Sequence, residues 1–275
     1  MGAIRIVIGI LIAALTILVS CRSIDGKDAG EKVASPNPQP FIDTAGQTIC
    51  QRFHPPEGFT RTRVDSLTFG FYLRHLPLKT YGTVVRYYDG RPKNARDVYL
   101  SVIDMDIGKR DLQQCADAIM RLRAEYLYTL QRYQDIHFTF VSDGQPRYYE
   151  EYIEGDHSYE KFRKYLDFVF FSANTRSLSR ELISLDSMAE MQIGDVFIQT
   201  GNPYGHAVIV VDMAENNVTG EKLYLLAQSY MPAQDIQILV NRTDRMISPW
   251  YRLKEGPVNT PEWSFGPDDL KRFGN

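Results

Sequence analysis

Three residues spread along this chain have the types that acyl transfer by a nucleophile needs. Cys115 can supply a thiolate, His206 can take and return its proton, and Gln228 can hold the imidazole through a hydrogen bond. Cys115 opens an amphipathic stretch, and the N–H groups at a helix start favour an anion there. A cysteine on an apolar helix face also serves as a small buried hydrophobe, with no chemistry attached. His206 heads the apolar run Ala207–Val211, where a buried strand has no need of a titratable group. If the following hairpin turns near Asn217, residues 206 and 228 fall opposite one another, about 5 Å apart. Ser229 is the fallback partner should the turn shift. Asp212 lies six residues beyond His206 on the same strand, about 20 Å away, and cannot reach the imidazole.

The elements that must position these groups follow from periodicity. Asp111–Tyr133 is expected to be a helix, with Asp111 as N-cap and Gln114 completing a capping box. Cys115, Ile119, Leu122 and Tyr126 recur on one face of it. Gly194–Ala214 reads as a hairpin. Its strands are Asp195–Thr200 and His206–Asp212, joined by a loop holding Gly201, Asn202, Pro203 and Gly205. Further strands are expected at Val84–Tyr88, Val98–Ile107, Ile136–Val141, Lys222–Ser229 and Ile236–Val240. Helices are expected at Ser66–Leu76, Tyr159–Phe171 and Ser177–Met191. The tail carries Trp250, Trp263 and four prolines, and is expected to wrap the core as irregular structure.

Other groups carry less chemistry. Asp104 and Asp106 share one strand face, a pattern that suits acid/base or metal work but more often marks a solvated strand end. Arg121 and Glu125 form an i,i+4 pair, expected on a solvated face. His54, His75, His137 and His157 show no metal-ligand spacing, so no metal site is expected, and no phosphate-loop or dinucleotide motif calls for a cofactor. A Cys50–Cys115 disulfide is the direct rival to a reactive Cys115.

The ends set the setting. Residues 1–20 hold one charge, Arg5, and the apolar run Ile6–Val19, which is short for a membrane span and fits a secretory signal. Leu18-Val19-Ser20-Cys21 resembles the lipobox of bacterial lipoproteins. That resemblance implies lipidation of Cys21 and anchoring in a bacterial membrane, facing the periplasm or the surface. Residues 21–45 then read as a flexible tether, and 46–275 as a single domain with its core in 108–240. Past residue 20 the chain has 30 basic and 34 acidic residues, which argues against a nucleic-acid partner.

The order Gln114-Cys115, Gly194-Asp195-Val196, Gly205-His206-Ala207 and Gln228 resembles the papain-like NlpC/P60 and CHAP cell-wall hydrolases. NlpC/P60 proteins carry Asp-Cys-Ser-Gly at the nucleophile. The Gln114-Cys115-Ala116-Asp117 found here is closer to the CHAP pattern, and no separate oxyanion-hole side chain stands out beyond Gln113 or Gln114. The segments around Tyr72–Lys79, Arg110–Asp117, Arg121–Tyr126 and Ala227–Gln234 are similar to the uncharacterised lipoprotein family called domain of unknown function 4846. The first resemblance implies a papain-like α+β fold, with the Cys115 helix packed on an antiparallel sheet. It also implies a cysteine hydrolase cutting an amide bond in peptidoglycan peptides, with Cys115, His206 and Gln228 as its site. The alternative is a non-catalytic envelope lipoprotein that binds glycan or protein in the same cleft.

Overall fold

The computed structural model describes residues 39–95 and 97–274. The expected signal segment, the expected lipidation site Cys21 and most of the expected tether lie outside these residues. The tether was expected to run to residue 45, but Phe41 and Ile42 already pack against the core and Ile42 bridges Phe53. Two large apolar residues within seven positions give this stretch enough surface to dock.

In chain order the helices are α1 (Ile49–Arg52), α2 (Phe69–Arg74), α3 (Cys115–Thr129), α4 (Tyr149–Ile153), α5 (Tyr159–Ser172) and α6 (Thr175–Glu181). The first strands are β1 (Thr60–Arg61), β2 (Tyr99–Val102), β3 (His137–Thr139), β4 (Pro146–Tyr148) and β5 (Ile183–Ser184). The hairpin region supplies β6 (Val196–Gln199), β7 (His206–Glu215), β8 (Lys222–Gln228) and β9 (Gln237–Leu239). The tail adds β10 (Tyr251–Arg252), β11 (Val258–Asn259), β12 (Ser264–Phe265) and β13 (Leu270–Arg272). The fold is mixed α+β around a nine-stranded antiparallel sheet. Its path runs β2-β9-β8-β7-β6-β13-β5, with β1 on β7 and β10 on β8.

Several boundaries differ from expectation. α3 begins at Cys115 rather than near Asp111. Asp117 Oδ2 accepts the Gln114 N–H at 3.0 Å, which makes Gln114 the N-cap and starts the helix at the next residue. Asp111 instead accepts from the Ala233 N–H and the Gln114 side chain, tying the lead-in to the loop after β8. Val84–Tyr88 makes only isolated bridges. The tail is not irregular throughout, because β10 and β13 extend the main sheet.

The sheet is covered on both faces. Ala207, Ile209, Val211 and Ala214 of β7 join the core beneath α2, α3, α5 and α6. Val208, Val210 and Met213 join a second core with Tyr251, Phe265 and Leu270 of the tail. The parity changes because Val210 pairs with Leu226 but Asp212 pairs with Leu225, leaving Val211 as an extra residue. Such a bulge turns all later side chains over. The core therefore reaches from Ile49 to Leu270, wider than the expected 108–240. Gly205 precedes β7 because a Cβ there would meet Gln199 O at 2.2 Å and Thr175 Oγ1 at 2.7 Å. No described helix is long and apolar enough to cross a membrane.

Candidate functional site

Cys115 is the first residue of α3 and lies against the start of β7. The backbone N–H groups of Cys115, Ala116 and Ala207 lie close enough to its sulfur to favour negative charge there. Two belong to the open helix end, where N–H groups lack intrahelical partners. The third is the peptide that joins His206 to Ala207. β8 ends at Gln228, and Ser229 turns away so that its hydroxyl donates to Gln113 O and Gln234 O.

Helix-start N–H groups alone would favour a thiolate, but burial wins. The side chain is buried, and desolvation, aided by the nearby Asp117 carboxyl, pushes the thiol up to about 11. Asp117 itself is fully buried and its carboxyl is raised by desolvation. Cys115 is therefore a neutral thiol at rest, contrary to the thiolate expected from the helix dipole. Cys50 and Cys115 are both free, which removes the disulfide rival.

His206 is 1% exposed. Its ring sits among Tyr230, Trp263 and Phe265, with centroids 4.7, 5.4 and 5.9 Å away. Nε2 donates to Gln228 Oε1 at 2.9 Å. Nδ1 has no hydrogen-bond partner among the described residues, and no hydrogen bond joins the ring to the Cys115 sulfur. Tyr230, packed on the imidazole, lies within electrostatic range of that sulfur. The structure thus gathers Cys115, His206 and Gln228 at one end of β7, with His206 and Gln228 in direct contact. Ser229 is not the imidazole partner.

Burial lowers His206 from 6.5 to about 4, with Lys93 adding to the effect and Gln228 opposing it. Between those two values the unfolded chain binds a proton that the folded chain does not. Stability is therefore present above pH 6.5 and falls as pH drops towards 4, by about 3 kcal/mol in all. Urea unfolding from pH 7 to 4.5 should show this slope in the wild type, and His206→Gln should flatten it.

Two functional neighbours escaped the sequence reading. Gln228 Nε2 donates to Glu262 Oε2 at 2.6 Å, and Lys93 Nζ donates to the same oxygen at 2.7 Å. Lys93 Nζ also lies 5.6 Å from the Tyr230 ring centroid. Trp263 is held by Gln199, the cross-strand partner of His206, through a 3.0 Å bond to its indole N–H. Pro261, adjacent to Glu262, and Trp263 itself were legible only as tail residues.

The remaining candidates resolve differently. Asp212 is fully buried and paired with Arg61 and Arg74 on the helix-covered face, opposite His206. Asp104 and Asp106 are exposed beyond the end of β2. Arg121 and Glu125 are buried rather than solvated, because Tyr159 of α5 covers them and bonds both. No cluster of His, Cys, Asp and Glu among the described residues could hold a metal. Clefts of about 220 to 560 Å³ lie elsewhere, and none of them is lined by Cys115, His206 or Gln228.

No curated protein and no solved structure matches the chain. Residues 49–272, which span α1 to β13 and hold every residue of the site, match the family described as Domain of unknown function (4846), and the protein belongs to that family.

Proposed function

We propose that the protein is a lipid-anchored cysteine hydrolase of the bacterial cell envelope, papain-like in fold, that cuts an amide bond in peptidoglycan peptides. The observation that carries this reading is the 2.9 Å bond from His206 Nε2 to Gln228, beside Ala207, whose backbone N–H favours negative charge on the Cys115 sulfur at the start of a helix. That bond leaves Nδ1 with a lone pair. The thiol proton would pass to Nδ1 as sulfur attacks the carbonyl carbon. His206 would return the proton to the leaving amine as the C–N bond breaks, and water would then hydrolyse the thioester. The N–H groups of Cys115, Ala116 and Ala207, which favour negative charge at the sulfur, would stabilise the thiolate as it forms. Because the thiol is buried and neutral, productive binding must open the Tyr230 side of the site. The lipid anchor rests on the Leu18–Cys21 pattern.

A non-catalytic envelope protein is the second reading, and the burial of Cys115 together with the distant clefts favours it. Purified peptidoglycan incubated with the full chain in detergent separates the two. New amine termini released by the wild type and not by Cys115→Ala, counted by mass spectrometry, support hydrolysis. No release by either, with co-sedimentation retained, supports binding alone.

A further inference from the structure

We infer that the Lys93–Glu262 ion pair decides which nitrogen of His206 carries the proton, acting through Gln228. Gln228 has two faces to its side-chain amide, one that donates and one that accepts. A glutamate carboxylate only accepts, so Glu262 at 2.6 Å turns the Gln228 NH2 group towards itself. The Gln228 oxygen then faces the imidazole, and the nitrogen meeting it at 2.9 Å must be the N–H donor. The proton is placed on Nε2 and Nδ1 is left bare. Lys93, 3% exposed, donates to the same carboxylate oxygen at 2.7 Å and holds it in place.

The arrangement is directional. The three bonds run from Lys93 and from His206 inwards, with Glu262 as the sole acceptor-only group. The residues come from four separate segments of the chain. Lys93 and Glu262 touch neither the sulfur nor the place of an attacked carbonyl, so they are positioning residues. A bridge that served stability alone would leave the His206 tautomer unchanged when its charges are exchanged. A bridge that sets the proton would not, because an ammonium at position 262 only donates. The Gln228 oxygen would turn to it, the NH2 group would face His206, and Nε2 would have to accept. The proton would then move to Nδ1.

The test is the imidazole 15N spectrum of the full-length, 15N-labelled protein between pH 6 and 8, with His206 assigned by its loss in His206→Gln. The wild type should show a protonated Nε2 and a bare Nδ1. The double exchange Lys93→Glu with Glu262→Lys should swap the two signals. If the exchanged protein does not fold, Glu262→Met is read instead. With no acceptor at that position the Gln228 amide turns freely, and His206 should show both tautomers. Glu262→Asp should restore the single form. A wild type protonated on Nδ1, or a folded exchange variant still protonated on Nε2, overturns the inference, as does an unchanged single form in Glu262→Met. Only the catalytic consequence rests on the hydrolase reading: the exchange would then also cost about 10²–10⁴-fold in peptide cleavage, the usual contribution of a positioned base. Failure of the hydrolase reading leaves the tautomer result standing.

Discussion

Replacing Asp212 by alanine is expected to lower stability by about 3–5 kcal/mol, the usual cost of removing one partner from a buried ion pair. Its carboxylate is fully buried. Oδ2 accepts from Arg61 Nε at 2.8 Å, and Oδ1 accepts from Arg74 Nε at 2.6 Å and from the Met213 N–H at 2.8 Å. Arg61 belongs to β1 and Arg74 to α2, so one carboxylate joins two elements to β7. Alanine would leave two guanidinium groups without their anion, and Arg74, at 8% side-chain exposure, has little route to water. Urea unfolding measures the loss, and a change below about 1 kcal/mol would contradict the assignment. The double variant Asp212→Leu with Arg74→Met should recover much of the loss, because apolar groups of similar volume replace a buried pair at little net cost.

Cys115 should alkylate about 100-fold more slowly than an ordinary thiol at pH 7. Its pKa of about 11, against an ordinary 9.0, leaves roughly one hundredth of the thiolate, and the thiolate is the reacting form. The rate should rise about tenfold per pH unit towards pH 11. Iodoacetamide labelling followed peptide by peptide reads Cys115 separately from Cys50. Fast labelling of Cys115 at neutral pH would mean that the site opens spontaneously. Slow labelling that accelerates with soluble peptidoglycan fragments would show that ligand does the opening. His206→Ala should leave the slow rate of the closed form nearly unchanged, since burial rather than the imidazole sets it.

The pairing of His206 with Gln228 was legible because a hairpin fixes register from its turn. Even so the register differs from the expected one by two residues. Ile209 pairs with Ala227, which places Gln228 level with Val208 and leaves His206 two positions further on. The diagonal is short enough for the two side chains to meet. Asp212 was excluded by distance alone, and the bulge at Val211 adds a second reason that no periodicity reveals, since it puts Asp212 on the other face. The start of α3 was misplaced because two capping patterns overlap, Asp111 with Gln114 and Gln114 with Asp117, and only the second forms. Arg121 and Glu125 looked solvated by their helical spacing. Their burial depends on Tyr159, a residue of another helix. Strands of two or three residues, such as β10 to β13, are too short for any repeat to show. Lys93 and Glu262 stand 169 residues apart with no pattern between them, and only the folded chain brings them to Gln228.

The wrapping of the tail across the second face of the sheet has a consequence for the timing of synthesis. Cys115, His206 and Gln228 are all translated, and their hairpin can pair, before Glu262, Trp263 or Phe265 exists. Until those residues arrive, the imidazole has its amide partner and Tyr230, but lacks Trp263, Phe265 and the carboxylate that orients that amide. β6 also presents an unpaired edge until Leu270–Arg272 lies along it. A nascent chain stalled before residue 260 would therefore expose a sticky strand and an unfinished site together, and one late docking event closes both.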